Sequence, residues 1–232
     1  MKDLIRETVI SLRATALVAV LGCALYPMAV YAIGHTVLRS RADGSLIDRE
    51  GNSVGPDQAV GSSLLGQPFK APEYFHPRPS AAGSGYDASN SSGTNLGPLS
   101  DKFLNGAPDD PKTKDVDESF AGVKQLVEAY RAENKLSAGA LVPGDAVTRS
   151  ASGLDPDITP ANAGLQVPRI AAARGVGVDE VRALIARQTT GRQWGLFGDP
   201  RVNVLQTNLA LDRELPKRGP AGKVATAPAV AQ

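Results

Sequence analysis

Hydrophobic and polar positions divide the chain sharply. From Ala14 to Ile33 no residue is charged, and at about 1.5 Å rise per residue such a run crosses the roughly 30 Å hydrocarbon core of a bilayer. The pattern predicts one transmembrane helix over residues 14–38, behind an N-terminal segment of residues 1–13. Pro27 is compatible with it, because membrane helices tolerate proline where neighbouring groups re-satisfy the freed carbonyl. Val30-Tyr31-Ala32 has the small-residue pattern of a signal-peptide cleavage site. The apolar run exceeds a usual signal core, so a retained anchor is the expectation.

Beyond the span the apolar spacing shortens and changes period. Ser45-Leu46-Ile47-Asp48 and Ser63-Leu64-Leu65 are short apolar runs bounded by Gly and Asp, which fits strands. Between Pro72 and Pro98, Gly, Pro, Ser, Asn and Asp crowd out any periodicity, predicting a long loop of the kind that is uncommon unless it binds something. Asn105 to Asp117 is polar and expected to project into solvent. Val116, Phe120, Val123, Val127 and Tyr130 then recur at helical spacing, predicting an amphipathic helix to about Asn134. Leu141-Val142-Pro143 and Ala146-Val147-Thr148 read as extended pieces.

Thr159-Pro160 is a strong helix start, a threonine N-cap followed by a first-turn proline, and Gly175 is the matching stop. A further helix from about Val178 to Thr189 puts Val181, Leu184 and Ile185 on one face. Alternating Val202 and Val204, then Thr207, Leu209 and Leu211, make 201–212 the best strand candidate, with one slip near Leu205 that would mark a bulge. Strands at both ends with helices between predict one α+β, or three-layer α/β, domain over residues 39–212. Residues 213–232 have too little apolar content to pack and read as a disordered tail.

Charge and cysteine content narrow the partners. The net charge is +1 and aromatics are 5% of the chain, so no basic stripe with stacking residues is available for nucleic acid, which is excluded as a partner. Lys2, Arg6 and Arg13 flank one side of the span and Arg39, Arg41 and Arg49 the other, so the positive-inside rule leaves orientation open. Cys23, the lone cysteine, lies inside the span, and the domain beyond it folds without disulfides. Thr15, Ala19 and Cys23 form a small-residue stripe, with Leu17, Leu21 and Leu25 about 200° away on an ideal helix. In lipid, small residues let backbones approach, so this stripe is the candidate docking face for another membrane helix.

Catalytic motifs fail on inspection. Gly51-Asn52-Ser53-Val54-Gly55 matches the nucleophile elbow, but Pro56 and Asp57 follow without a helical pattern. The only histidines, His35 and His76, lie at the membrane edge and in a proline-flanked loop, so a membrane-anchored hydrolase resting on Ser53 has no base. His76 lacks partners at metal-ligand spacing. The carboxylates Asp109, Asp110, Asp115, Asp117 and Glu118 are interleaved with Lys112 and Lys114 and read as a solvated segment. Gly219-Pro220-Ala221-Gly222-Lys223-Val224 lacks both the glycine spacing and the terminal hydroxyl of a P-loop. No catalytic residue and no metal site is expected.

What remains is a collinear series of blocks: Gly61-Ser62-Ser63-Leu64-Leu65-Gly66-Gln67, Tyr74-Phe75, Arg78-Pro79-Ser80-Ala81, Asn95-Leu96-Gly97-Pro98, Ser152-Gly153-Leu154-Asp155-Pro156, Gln166-Val167-Pro168-Arg169, Ala173-Arg174, Pro200-Arg201-Val202-Asn203-Val204-Leu205 and Asn208-Leu209-Ala210-Leu211-Asp212. Behind one N-terminal span, the series resembles the C subunit of the bacterial Kdp potassium-transporting ATPase. His76-Pro77 stands where that family usually has a glycine, Asp157 where a histidine is common, and the stretch from Asn105 to Gly122 is longer than typical.

The resemblance implies a cytoplasmic N-terminus, an exported domain and the bacterial inner membrane. It implies a non-catalytic accessory subunit that stabilises assembly of a channel-like potassium-binding subunit with a P-type ATPase subunit and a small single-helix subunit. ATP, magnesium and potassium would be handled by those partners, with no cofactor held by this chain. The family's rival role is a catalytic chaperone that raises the ATP affinity of the ATP-hydrolysing subunit. Arg78, Ser80, Asn95, Asp155, Arg201 and Asn203 are the interface candidates. Turn and capping chemistry is the competing reading of each. Arg78 is the strongest of the six, because its planar fork recognises carboxylates and carbonyls.

Overall fold

The computed structural model describes residues 1–108 and 120–218. A continuous helix runs Lys2–Val37, longer than the uncharged window alone predicts, and none of its apolar window is buried against the rest of the chain. It comprises α1 (Lys2–Ala19), a π-helical turn (Val20–Leu25) and α2 (Tyr26–Val37). The π turn ends two residues before Pro27, and the Tyr26 amide reaches back five residues to the Leu21 carbonyl. Proline cannot donate to a carbonyl four residues earlier, and local rewinding of this kind redistributes the hydrogen bonds around it.

Past the short α3 (Arg39–Ala42), strands β1 (Leu46–Ile47) and β2 (Gly61–Ser62) form an antiparallel pair. The domain continues through α4 (Asp101–Asn105), α5 (Val123–Glu133), α6 (Gly144–Val147), β3 (Asp157–Ile158), α7 (Pro160–Arg174), α8 (Val178–Gln188), β4 (Thr189–Thr190), β5 (Arg201–Asn203) and α9 (Val204–Glu214). The second sheet has the order β3-β5-β4, and every strand pair among the described residues is antiparallel. Helices and small antiparallel sheets share one core, the α+β alternative of the two expected. Ile158 and Val202 come from the sheet, Ile170, Leu184 and Leu211 from α7, α8 and α9, and Phe75 from the long loop. A smaller cluster forms where Tyr130 of α5 meets Val147 of α6.

Capping explains which helices form. Thr159 Oγ1 accepts the Asn162 amide at 3.1 Å and Pro160 opens α7, which ends at Gly175 in the left-handed region with φ 67°. Pro168 sits inside α7 without ending it. Val181, Leu184 and Ile185 are buried on α8, as their spacing requires.

Five features differ from the sequence expectation. The strand expected over 201–212 stops at Asn203, whose side chain accepts the Gln206 amide at 3.0 Å and starts α9. Val204, Thr207, Asn208 and Leu211 are then buried at the three- and four-residue spacing of a helix. The slip near Leu205 is therefore a strand-to-helix junction. The segment 146–148 is not extended, because α6 covers Gly144–Val147. Strand β2 ends at Ser62, so Ser63-Leu64-Leu65 lies beyond it. Helix α5 begins at Val123, while Phe120 pairs with Ala107 in an isolated bridge; Val116 and the charged residues from Asp109 to Glu118 lie outside the described residues. At the other end α9 runs through Glu214 and Leu215 is buried, so the domain continues past Asp212.

Candidate functional site

The loop from Pro72 to Pro98 supplies the centre of the domain's polar chemistry. It has almost no regular structure, yet Phe75 is completely buried. Backbone polar groups buried without partners are costly, and here side chains replace a neighbouring strand. Asn208 of α9 accepts the Phe75 amide at 2.8 Å and donates to the Phe75 carbonyl at 2.9 Å. Gln166 of α7 treats His76 the same way, at 2.8 and 3.1 Å. Arg169 donates to the carbonyls of Pro72 and Tyr74 at 2.7 and 3.0 Å, and Arg174 to that of Glu73 at 2.7 Å. Residues 72–76 are thus a strap held by four side chains from two helices.

Three of those side chains, Gln166, Arg169 and Arg174, have little capacity left. Gln166 Oε1 also accepts from Arg169 at 2.8 Å, and its Nε2 also donates to Asn162 Oδ1 at 2.9 Å. All four of its hydrogen-bond positions are therefore occupied. Arg174 is 1% exposed and holds the Leu211 and Leu215 carbonyls at 3.3 and 3.1 Å, together with Asp212 Oδ1 at 2.7 Å. It thereby fastens the last turn of α9. His76 Nδ1 meets Glu133 Oε1 at 2.5 Å. The hydrogen bond from His76 above all, helped by the charges of His76 and Arg169 and opposed by burial, holds the Glu133 carboxyl below the usual glutamate range.

Further along the loop, Arg78 Nη1 donates to Asp155 Oδ2 at 2.6 Å, joining two residues that the sequence reading singled out separately. Its Nη2 lies 3.4 Å from both the carbonyl and the hydroxyl of Thr148. Ser80 Oγ donates to the Gly153 carbonyl at 2.6 Å and accepts the amides of Ala82 and Tyr86 at 3.1 and 2.8 Å. Tyr86 returns its hydroxyl to the Arg78 carbonyl at 2.5 Å, and burial pushes that phenol up to about 12. Gly153 has φ 69°, and a Cβ there would lie 2.7 Å from both the Ala82 amide nitrogen and the Ser92 carbonyl oxygen. Only glycine fits this approach.

The remaining candidates lie apart from that clasp. Arg201 Nε pairs with Asp157 Oδ2 at 3.1 Å across the β3–β5 ladder. Burial raises the Asp157 carboxyl above the usual aspartate range, against the Arg201 charge and with help from Asp155. Asn203 Nδ2 donates to the Ser63 carbonyl at 2.8 Å, tying α9 to the β1–β2 pair. Asn95 is exposed with φ 52° and makes no side-chain hydrogen bond among the described residues. Ser53 donates to no histidine; its hydroxyl accepts from Ser40 Oγ at 3.0 Å. On the long helix, Thr15, Ala19 and Cys23 are all exposed.

The strap's anchors are not among the residues that the sequence singles out. Gln166, Arg174 and Asn208 lie within the collinear blocks, but nothing local to them signals a partner about a hundred positions away.

An exposed apolar helix long enough to cross a membrane, followed by a domain fastened by long-range side-chain bonds, defines a candidate membrane span joined to a domain of mixed α and β structure. The model of the family described as "K+-transporting ATPase, c chain" matches residues 8–213, and the chain belongs to that KdpC family. It is 47% identical over 189 residues to the potassium-transporting ATPase KdpC subunit of Mycobacterium tuberculosis strain H37Rv, covering 82% of this chain and 88% of the relative. The subunit of Koribacter versatilis is 42% identical over 219 residues, covering 94% and 98%. That of Caulobacter vibrioides is 48% identical over 192 residues, covering 82% and 85%. This is a subunit of a potassium-transporting ATPase complex.

Proposed function

We propose that the chain is an accessory, non-catalytic subunit that stabilises assembly of the channel-like potassium-binding subunit with the P-type ATPase subunit and the small single-helix subunit. The observation that carries this reading is the division of labour within the chain. The Lys2–Val37 helix has no packing partner in its own domain, and the polar blocks of that domain bond mainly to one another. Side chains committed to internal bonds position surfaces; they are not poised for chemistry on a substrate. The helix anchors the chain in the bacterial inner membrane, with residues 39–212 and beyond on the exported face and residues 1–13 in the cytoplasm. Its small face at Thr15, Ala19 and Cys23 meets a helix of another subunit, while ATP, magnesium and potassium are bound by the partners. Asn95, exposed and without a side-chain bond among the described residues, is the candidate from the original six that is freest to reach another subunit.

Two measurements test this. The tagged full chain purified from mild detergent is expected to bring the other subunits with it, and recovery of the chain alone would refute the reading. Single cysteines at Ser91 in a Cys23→Ser background should react with an impermeant maleimide in intact cells, whereas labelling only after lysis would place the domain in the cytoplasm.

A further inference from the structure

Between β4 and β5 the chain projects a short hairpin that the rest of the fold does not use. Gln193 and Phe197 form an isolated antiparallel bridge with both backbone hydrogen bonds made, 2.8 and 3.0 Å. Arg192 and Asp199 close the base with an ion pair at 3.0 Å. The tip carries large apolar groups into solvent: Trp194 is 84% exposed, Leu196 68% and Phe197 57%. Trp194 and Phe197 pack edge to face at 5.9 Å between centroids, so the tip is held as a unit. Trp194 also has φ 55°, a left-handed conformation that is strained for a bulky residue and persists only where its surroundings impose it.

Outside the long helix, Trp194 and Phe197 are the most exposed aromatic side chains, and a domain that orders such a pair and leaves it uncovered is presenting it. We infer that the Trp194–Phe197 tip is a docking knob that inserts into an apolar socket on a protein subunit of the same complex. This rests on the reading that the chain assembles with such subunits.

Two observations favour a protein socket over the bilayer. First, the only charges on the hairpin, Arg192 and Asp199, neutralise each other, leaving no cation at the tip for anionic headgroups. Second, the tip lies at the end of β5 away from the anchor. The other end, Asn203, bonds to Ser63, whose amide in turn bonds to the carbonyl of Ser45 just beyond the membrane helix. A rigid, uncharged aromatic pair matches the centre of a protein interface, where Trp is enriched and a few buried anchors carry most of the affinity.

The test uses the full chain co-expressed with the other subunits. A photo-reactive benzoylphenylalanine at Leu196 is expected to cross-link to one protein subunit. Trp194→Ser combined with Phe197→Ser should lower the affinity of the chain for the remaining complex roughly tenfold or more. Trp194→Phe should retain most of it, and Leu141→Ser, at another exposed leucine, should change nothing. Thermal unfolding of the double variant should match wild type, because its removed side chains lie in solvent. Cross-linking to lipid alone, or equal recovery of subunits by the double variant and wild type, overturns the docking role while leaving the accessory-subunit reading intact. A wild-type chain that recovers no subunit overturns both.

Discussion

Replacing Asn208 by alanine tests whether side chains hold the loop strap in place of a strand. Both amide functions of Asn208 bond the backbone of Phe75, at 2.8 and 2.9 Å, and neither residue is accessible to solvent. Asn208→Ala strands one buried N–H and one buried C=O, each at about 1–3 kcal/mol. Water admitted to the vacated space recovers part of that cost, so the net loss should be about 2–4 kcal/mol. At about 2–4 °C per kcal/mol for a domain of this size, Tm should fall by about 4–16 °C. Far-UV circular dichroism of the full chain in mild detergent reads this directly. Asn208→Asp keeps an acceptor for the Phe75 amide but faces the Phe75 carbonyl with a second oxygen, so it should also be destabilised, more at pH 7 than at pH 4. A fall of less than 2 °C for Asn208→Ala would refute the strap as a stabilising element.

Arg78→Ala removes a partly buried ion pair and should cost about 2 kcal/mol, less in an Asp155→Ala background; an unchanged Tm with impaired subunit recovery would assign Arg78 to an interface instead. Asp157 has a raised carboxyl pKa, so its contribution is complete below the unfolded value and is lost as pH rises through the folded one. Asp157→Asn should therefore leave Tm at pH 7 equal or higher, and a clear drop would show that the Arg201 pair outweighs burial. Glu133 has the opposite sign, contributing above its unfolded pKa and losing that contribution as pH falls, so Glu133→Gln should lower Tm at pH 7 but not at pH 3. Ala19→Phe should reduce recovery of the partner subunits while Leu21→Phe does little; equal effects would remove the small-residue stripe from docking.

What was legible in the sequence depended on how far each signal travels along the chain. Helix α7 was readable because Thr159, Pro160 and Gly175 act within one turn of the elements they bound, and α8 because three buried positions repeat on its own face. Helix α9 was misread because Val202 and Val204 share strand spacing over three residues, while the deciding N-cap at Asn203 is also an ordinary strand-end residue. Arg78 and Asp155 were both marked as candidates, but their pairing spans 77 positions, and no local pattern reports it. The strap anchors were hidden more completely, since Gln166 looks like an ordinary polar residue on a helix and Asn208 like one in the strand expected over 201–212. The hairpin tip is not legible from sequence, because Trp194 stands among Gly191, Arg192, Gln193 and Gly195 without periodicity, and apolar residues in a loop are common on protein surfaces.

The side-chain strap also changes how interface experiments on this subunit must be read. A loop held by a β ladder tolerates many side chains, because backbone groups make the bonds. Residues 72–76 instead depend on Gln166, Arg169, Arg174 and Asn208, so a substitution at any of the four moves Phe75 in the core and the polar loop surface together. Loss of complex after such a change therefore does not identify a contact residue. Asn95, Trp194 and Phe197 are different: their side chains make no hydrogen bond to the strap, and removing them leaves the core untouched. Loss of assembly with an unchanged melting profile at those positions reports a surface. The same loss accompanied by a lowered Tm at Gln166 or Asn208 reports the scaffold that presents it.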